Sequence, residues 1–241
     1  FFQAFYKEAI IWRQLHHPNV LPFLGVDLET FPEWPCLVMP WMQNGNLFDY
    51  VLNTIDPTCH ELMELACGVL KGLSYLHSNH VVHGDLRAAN VLINDMGQPV
   101  LADFGLAFFL EEAQDASQST YQGTLRWLAP EVLNPNSPHR KLRRQPSRDV
   151  YAFGSLCLEI FTGLPPYSDI KSDAAVLCFI LEYKRPPRPR LYQPWGGVPN
   201  LYLWSESGFV ERCWRENPAN RPTCEGLLES MEEYAKAGWR L

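Results

Sequence analysis

The sequence predicts an α+β fold, with a few short strands near the start of the chain and a mainly helical remainder. Short apolar runs bounded by turn-forming residues occur before residue 103, and such runs are typical of strands. Apolar residues at helical spacing dominate the rest of the chain. The 241 residues, 46% of them hydrophobic, are enough to bury a large core.

The first elements are predicted to be one helix and two strands. Helix formers surround an apolar stripe over residues 2–15, and a polar His-His-Pro sequence follows them, so a helix is expected there. Two short apolar runs, 20–26 and 36–39, are separated by a polar loop with two prolines, and both are predicted to be strands.

The most regular helical pattern begins after residue 58. Thr58 and Glu61 have the S/T-x-x-E spacing of a capping box, and apolar residues then recur at i, i+3, i+4 and i+7. A long amphipathic helix is therefore predicted. Its apolar positions are Leu62, Leu65, Ala66, Val69, Leu70, Leu73 and Leu76.

Further helices are expected in the last hundred residues. Residues 149–162 are apolar nearly all round and end before Gly163 and Pro165, which are typical stop signals, so this helix is predicted to lie inside a helical domain. Pro222 is expected in the first turn of the last helix. These additional helices are predicted over residues 173–182, 208–215 and 221–237.

Composition narrows the classes of function. The 20 Lys+Arg and 27 Asp+Glu residues give a formal net charge of −7, which argues against general nucleic-acid binding. No stretch reaches the roughly 18 apolar residues that cross a bilayer, so no membrane association is expected. Seven scattered cysteines without a C-x-x-C pair, and no leader-like N-terminus, favour a soluble protein in a reducing, cytoplasmic setting without a zinc site.

A hairpin is expected to bring three polar side chains together. Residues 91–93 and 100–102 are β-type triplets joined by turn residues, and a hairpin places its outer ends side by side. Asn90 precedes the first strand, Asp103 follows the second, and Asp85 lies shortly before Asn90. A carboxylate and an amide oxygen suit Mg²⁺, and a separate carboxylate can accept a proton from a hydroxyl nucleophile. This layout predicts phosphoryl transfer.

Three ordered motifs resemble the catalytic loop, the metal-binding loop and the end of the activation segment of eukaryotic protein kinases. They are His83-Gly84-Asp85-Leu86-Arg87-Ala88-Ala89-Asn90, Asp103-Phe104-Gly105 and Ala129-Pro130-Glu131. Further kinase-like signatures extend this resemblance over the whole chain, which is similar in particular to the tyrosine-kinase-like group. The resemblance implies a two-lobed kinase fold with a mainly helical C-lobe.

The resemblance also implies a role for each catalytic residue. Asp85 would be the catalytic base, and Asn90 and Asp103 would bind Mg²⁺. Arg87 would face the transferred phosphate in place of the usual lysine. A structural ion pair, Glu131 with Arg221, is implied as well.

By the same resemblance, the ATP-binding hinge lies at residues 39–42. Met39, Pro40 and Met42 would hold adenine, mainly through backbone groups, because Pro40 keeps its carbonyl acceptor and Met42 keeps both its amide and its carbonyl. Leu47 and Leu92 would lie under or beside the adenine. The residues that resemble the hydrophobic spine between the lobes are Trp12, Phe23, His83 and Phe104.

We therefore expect a single kinase domain over residues 1–241, with a remnant N-lobe and hinge in 1–42 and a C-lobe in 43–241. The pattern departs from the family because no G-x-G-x-x-G motif and no Val-Ala-Ile-Lys-like strand occur. The chain is accordingly expected to start at the regulatory helix, with Glu8 lacking its lysine partner, and to be nearly inactive by itself. Gly84 stands where many kinases have an arginine that binds a phosphorylated activation segment.

The predicted function is ATP-dependent, Mg²⁺-requiring phosphorylation of protein hydroxyls. Thr124, within Gly-Thr-x-x-Trp, resembles Ser/Thr-specific members, so Ser/Thr substrates are expected. The implied partners are a protein substrate and ATP, with no nucleic acid and no membrane; the oligomeric state is left open. The alternative is a pseudokinase that acts as a protein-binding module, as the missing lysine and glycine-rich motif suggest.

Overall fold

The computed structural model confirms an α+β fold with few strands and mainly helical content. It describes residues 2–31, 34–103, 123–139, 145–188, 204 and 208–236. Within these ranges the strands form two separate two-stranded antiparallel sheets. The predicted site residues Asn90 and Asp103 lie just outside the two ends of the second sheet.

The N-terminal part contains one helix and the first sheet. Helix α1 covers Phe2–Trp12, which confirms the predicted helix but ends it three residues earlier. Strand β1 (Gly25–Asp27) pairs with strand β2 (Cys36–Val38), with Gly25 opposite Val38. This small sheet leads directly into the predicted hinge.

The predicted strand over residues 20–26 is wrong in its first part, since only its last two residues belong to β1. Pro22 has no amide hydrogen to donate to a neighbouring strand. Leu21 instead donates its amide to the Leu101 carbonyl at 2.9 Å, and its own carbonyl accepts a 2.6 Å bond from Trp12 Nε1. The apolar pattern therefore reflects burial between α1 and the second sheet.

Helices α2 (Leu47–Asn53) and α3 (Cys59–Ser78) follow the hinge. The predicted capping box of α3 is present, because the Glu61 amide donates to Thr58 Oγ1 at 3.2 Å and Glu61 Oε2 accepts from the Thr58 amide at 2.7 Å. Helix α2 is absent from the sequence predictions. It begins after Asn46, whose side chain caps its first turn.

Strands β3 (Val91–Ile93) and β4 (Pro99–Leu101) form the predicted hairpin, with the second strand shifted by one residue. Helix α3 lies very close to it. A Cβ atom added at Gly72 would be 2.5 Å from the backbone oxygen of Asn19 and 2.8 Å from Leu101 Cδ1. Because Gly72 has no side chain, α3 can pack closely against the hairpin and hold it in place.

Five helices complete the described fold. They are α4 (Pro130–Leu133), α5 (Ser147–Thr162), α6 (Asp173–Leu181), α7 (Phe209–Cys213) and α8 (Cys224–Lys236). Helix α5 is buried as predicted and ends at Gly163, whose φ of 64° is left-handed. The predicted start of the last helix at residue 221 is wrong, because Thr223 caps α8 and Pro222 lies before it.

The main core lies between α3, α5, α7, α8 and the β3–β4 hairpin. The side chains of Leu73, Phe153 and Val210 are completely buried there. Helix α5 therefore reaches both the core and the loop that precedes β3. Among the described helices, none combines the length and the apolar character needed to span a membrane.

Candidate active site

Helix α5 fixes the backbone of loop 83–90. Asp149, in its first turn, accepts bonds of 2.8 Å from the backbone amides of His83 and Gly84. Its neighbour Arg148 donates to the Gly84 carbonyl at 2.8 Å. The Gly84 peptide is thus held from both sides, with a φ of 80°.

Asp85 and Asn90 contact each other directly. Asn90 Nδ2 donates to Asp85 Oδ2 at 2.7 Å and to the Asp85 backbone oxygen at 2.8 Å. The short 3₁₀ turn Ala88–Asn90 returns the chain so that these residues meet. Because the amide nitrogen is turned toward Asp85, the amide oxygen of Asn90 faces away from that carboxylate.

Asp103 lies just beyond the end of β4, close to Asn90. The amide of Ala102 donates to the Asn90 carbonyl at 3.0 Å. Asp103 is exposed and has a φ of 55°. The hairpin therefore brings its two outer ends together, as the sequence predicts. Phe104, Gly105 and the residues up to 122 lie outside the described residues.

His83 is a completely buried side chain next to these acidic residues. Burial lowers the pKa of His83, although the negative charges of Asp149, Asp85 and Asp103 oppose that shift. The Asp85 amide donates to His83 Nδ1 at 3.3 Å, which requires an unprotonated nitrogen at that position. His83 is therefore a neutral support for the loop.

Arg87 lies between Asp85 and segment 123–127. Its Nε is 4.0 Å from Asp85 Oδ2, and its Nη1 donates to the Gly123 carbonyl at 3.3 Å. Its guanidinium also lies over the Trp127 ring, 5.9 Å from the ring centre. These contacts place a permanent positive charge beside the Asp85 carboxylate.

A buried carboxylate that the sequence motifs do not reveal joins loop 83–90 to segment 123–127. Glu159 Oε2, on α5, accepts from the Ala88 amide at 2.9 Å and from Trp127 Nε1 at 2.8 Å. Burial raises the pKa of Glu159 to about 7, although both hydrogen bonds and the charge of Arg87 act in the opposite direction. Its one visible signal is that it is the single acid within the apolar run 150–161.

The end of segment 123–131 is held by two arginines. Arg221 forms the predicted ion pair with Glu131 through two bonds of 2.6 and 2.9 Å, and both side chains are buried. Arg126 donates to the carbonyls of Tyr167 and Ile170 at 2.8 and 2.9 Å. The segment next to Arg87 is thus fixed to the helical part of the fold.

The predicted hinge and adenine-contacting residues differ in how deeply their side chains are buried. Met39, Pro40, Met42 and Leu92 are partly exposed, whereas Leu47 is completely buried. The Met42 carbonyl accepts from the amide of the next turn at 3.1 Å, so it already takes part in one hydrogen bond. The strand that holds Leu92 is joined to this turn by a backbone bridge.

Two more predicted residues belong to the N-terminal part. Trp12 and Phe23 stack with their ring centres 6.2 Å apart, and Trp12 is buried. Nothing is described of the Glu8 side chain, so its expected role stays a prediction.

The two small sheets, the helical part around α3 and α5, and the Asp85–Asn90–Asp103 arrangement together define a protein kinase domain. A family model described as "Protein tyrosine and serine/threonine kinase" matches residues 2–231. The chain belongs to this family.

Curated relatives support the same assignment. HT1 of Arabidopsis thaliana, named a serine/threonine/tyrosine-protein kinase, is 31% identical over 235 residues, which cover 96% of this chain and 55% of HT1. The Arabidopsis serine/threonine-protein kinase STY46 is 31% identical over 97% of this chain and 37% of its own length. The tyrosine-protein kinase abl-1 of Caenorhabditis elegans is 32% identical over 95% of this chain and 17% of its own length. The chain thus spans about half of HT1 and less of the others.

Proposed function

We propose that this domain transfers the γ-phosphoryl group of ATP to serine and threonine hydroxyls of a protein substrate, with Mg²⁺ as its metal. The observation that carries the proposal is the 2.7 Å contact between Asp85 and Asn90, at the end of the hairpin that continues into Asp103. In this arrangement Asp85 is the proton acceptor, and Asn90 and Asp103 supply two separate oxygen ligands. Phosphoryl transfer needs both.

Asp85 is the proposed catalytic base. Its Oδ2 is held by Asn90 and lies near the Arg87 guanidinium, so the carboxylate has a defined orientation. A hydroxyl nucleophile that binds at the other oxygen can transfer its proton there as the bond to phosphorus forms. The backbone bonds from Asp149 keep the loop in this position.

Asn90 and Asp103 are the proposed metal-binding residues. One amide oxygen and one carboxylate fit Mg²⁺, which prefers a few protein oxygens together with phosphate oxygens and water. When bound, the ion supplies charge neutralisation at the phosphate oxygens. The side-chain nitrogen of Asn90 donates to Asp85, so its amide oxygen is directed away from Asp85. This orientation supports the assignment of that oxygen as a metal ligand.

Arg87 is the proposed cation that faces the transferred phosphoryl group. Its contacts with the Gly123 carbonyl and the Trp127 ring hold the guanidinium in place. For the nucleotide, we assign adenine to the backbone of Met39, Pro40 and Met42. Leu92 would contact the base itself, and Leu47 would support that contact from within the core.

The choice of Ser/Thr substrates is supported by Thr124 and by the names of HT1 and STY46, both of which include serine/threonine. Phosphoamino-acid analysis of a protein substrate, labelled by the longest native form of the protein, tests it. Phosphoserine and phosphothreonine are expected. Phosphotyrosine alone would contradict the proposed specificity, and all three together would show dual specificity.

A second candidate is a kinase-like module that binds proteins without catalysis. One observation favours it: the 241 residues contain no G-x-G-x-x-G motif, and Lys7 and Lys71 are the only lysines before loop 83–90. Neither lies in a Val-Ala-Ile-Lys-like strand. If the domain is only a binding module, replacing Asp85 leaves the phosphate labelling of a substrate unchanged. If the domain is a kinase, the same change abolishes the labelling.

A further inference from the structure

Four hydrogen bonds within the described residues join Arg126 to the stretch between α5 and the first turn of α6. Its Nη1 donates to the carbonyl of Pro166 at 3.1 Å and to that of Tyr167 at 2.8 Å. Its Nη2 donates to the Ile170 carbonyl and to Asp173 Oδ1, each at 2.9 Å. The flat guanidinium of arginine carries donors in fixed directions and can serve several acceptors at once, whereas a lysine amine cannot match this pattern. This position therefore depends on the shape of the arginine as well as on its charge.

The residues that receive these bonds belong to a small core of their own. Tyr167, Val176 and Ile180 are buried together, apart from the main core, and Leu125 packs against them. The hydroxyl of Tyr167 also donates to the backbone after α6 at 2.8 Å. Leu125 and the arginine that follows it thus attach segment 123–127 to this small core.

The same segment has different partners on its other side. Trp127 Nε1 donates to Glu159 Oε2 at 2.8 Å, and the Gly123 carbonyl accepts from Arg87 Nη1 at 3.3 Å. The Nε atom of Arg87 in turn lies 4.0 Å from Oδ2 of Asp85, the proposed base. The segment therefore lies between the proposed catalytic groups and the small core.

A protein substrate can reach segment 123–127 from solvent. Gly123 is exposed and Thr124 is partly exposed, whereas the side chain of Arg126 is only 16% exposed. None of the contacts described for Arg126 involves the proposed adenine-contacting or metal-binding residues. Any effect of Arg126 on a substrate is therefore exerted through the backbone of the segment.

We propose that Arg126 is a positioning residue for the protein substrate. It holds the backbone of segment 123–127 where an extended substrate segment must pass to present its hydroxyl to Asp85. The inference rests on the proposed kinase function, since it concerns a protein that reaches the base. Without the guanidinium, the segment keeps its contacts with α5 but loses its hydrogen bonds to the small core. A protein substrate should then bind more weakly, while the chemical step and the binding of ATP change little.

The test is steady-state phosphorylation of dephosphorylated casein by the longest native form of the protein, with the concentrations of casein and of ATP varied separately. The main variant is Arg126→Lys, which keeps the charge and loses the fork of donors. We expect it to raise the KM for casein about tenfold, with kcat and the KM for ATP within about twofold of wild type. Asp173→Asn is the matched control, because it removes one ion pair with a half-exposed acid and leaves the three carbonyl bonds. Its KM for casein should change less than about threefold.

Hydrogen exchange supplies a second readout that does not need catalysis. The amides of Trp127 and Leu128 donate to the carbonyls of Thr124 and Leu125 at 3.1 and 3.2 Å. In Arg126→Lys these two amides should exchange about tenfold faster than in wild type, while those of α3 stay unchanged. Thermal unfolding of each variant shows that it is folded, and Arg126→Gln replaces Arg126→Lys if the lysine variant does not fold.

Three results would overturn the inference and leave the proposed function intact, provided that wild type is faster than Asp85→Asn. They are an unchanged KM for casein in Arg126→Lys, a fall in kcat without a change in that KM, and unchanged exchange at Trp127 and Leu128. The second of these would indicate a purely structural role for Arg126. Equal rates for wild type and Asp85→Asn would instead contradict the proposed function, and the inference with it.

Discussion

Among individual residues, Gly84 adopts a backbone conformation that favours glycine. Its φ of 80° is in the left-handed region, where a side chain costs about 1 kcal/mol or more. We therefore predict that Gly84→Ala lowers the free energy of unfolding by about 1 to 2 kcal/mol. Gly25→Ala is the control, because it lacks a left-handed φ and has no atom within 4 Å of the added Cβ. Urea unfolding measures both, and equal stability of the two variants would contradict the prediction.

Glu159 makes stability depend on pH. Its folded-state pKa of about 7 lies above the ordinary value of 4.5, so the folded protein binds this proton more tightly than the unfolded chain does. The resulting stabilisation is complete below about pH 4.5 and is lost as the pH rises through about 7. We predict that wild type loses stability relative to Glu159→Gln over this interval.

Free energies of unfolding at several pH values, taken as the difference between wild type and Glu159→Gln, measure this effect. Glu216→Gln, a change at an exposed acid outside these contacts, is the control. A constant difference for Glu159→Gln between pH 5 and 7 would show that the pKa of Glu159 is not raised.

Short motifs in the sequence predict several single residues well, and others not at all. The juxtaposition of Asn90 and Asp103 follows from hairpin geometry, and the Glu131–Arg221 ion pair follows from the family resemblance. Arg148 and Glu159 are absent from the predictions because their partners, Gly84, Ala88 and Trp127, are more than thirty residues away in sequence. Only the packing of α5 against loop 83–90 brings these groups together.

Among the helices, α3 depends on glycines for its approach to the hairpin. An alanine at position 72 would place its Cβ 2.5 Å from the Asn19 backbone oxygen, where the neighbouring backbone must shift. Glycine to alanine usually stabilises a helix by about 1 kcal/mol. Here we predict the opposite sign, a loss of about 1 to 3 kcal/mol for Gly72→Ala.

The matched control for this change lies in another helix. Gly226, in the first turn of α8, has its nearest neighbour, Thr223 Oγ1, 3.4 Å from an added Cβ, which is an ordinary contact. Gly226→Ala should therefore be neutral or stabilising by up to about 1 kcal/mol. Thermal or urea unfolding of the two variants gives the comparison, and a stabilised Gly72→Ala variant would refute the close packing of α3 on the hairpin.

Local signals account for how well each element is predicted. Helix α3 has both a capping box and a long apolar stripe, so its position follows from the sequence. Helix α2 has only seven residues, too few for a clear periodic pattern, and its cap at Asn46 also fits a turn. The apolar run 20–26 is misassigned because Val20 and Leu21 are buried by the hairpin and α1, and sequence alone does not separate such burial from a strand.

In the molecule as a whole, α5 supports the candidate site at three points. Asp149 holds the backbone of His83 and Gly84, Arg148 binds the Gly84 carbonyl, and Glu159 joins Ala88 to Trp127. Burial opposes the ionisation of Asp149, yet the hydrogen bond from His77 and the charges of His77 and Arg148 lower its pKa. The helix thus holds the proposed base and the segment beside Arg87 in one rigid unit.

The most direct test of the proposed function is the rate of phosphoryl transfer from ATP with Mg²⁺ by the longest native form of the protein. Wild type is compared with Asp85→Asn, which keeps the shape of the side chain and removes its capacity as a base. We predict that kcat falls at least about 100-fold while the KM for ATP changes little. Glu216→Gln should retain the wild-type rate. Equal rates for wild type and Asp85→Asn would contradict phosphoryl transfer at this site and favour the protein-binding module.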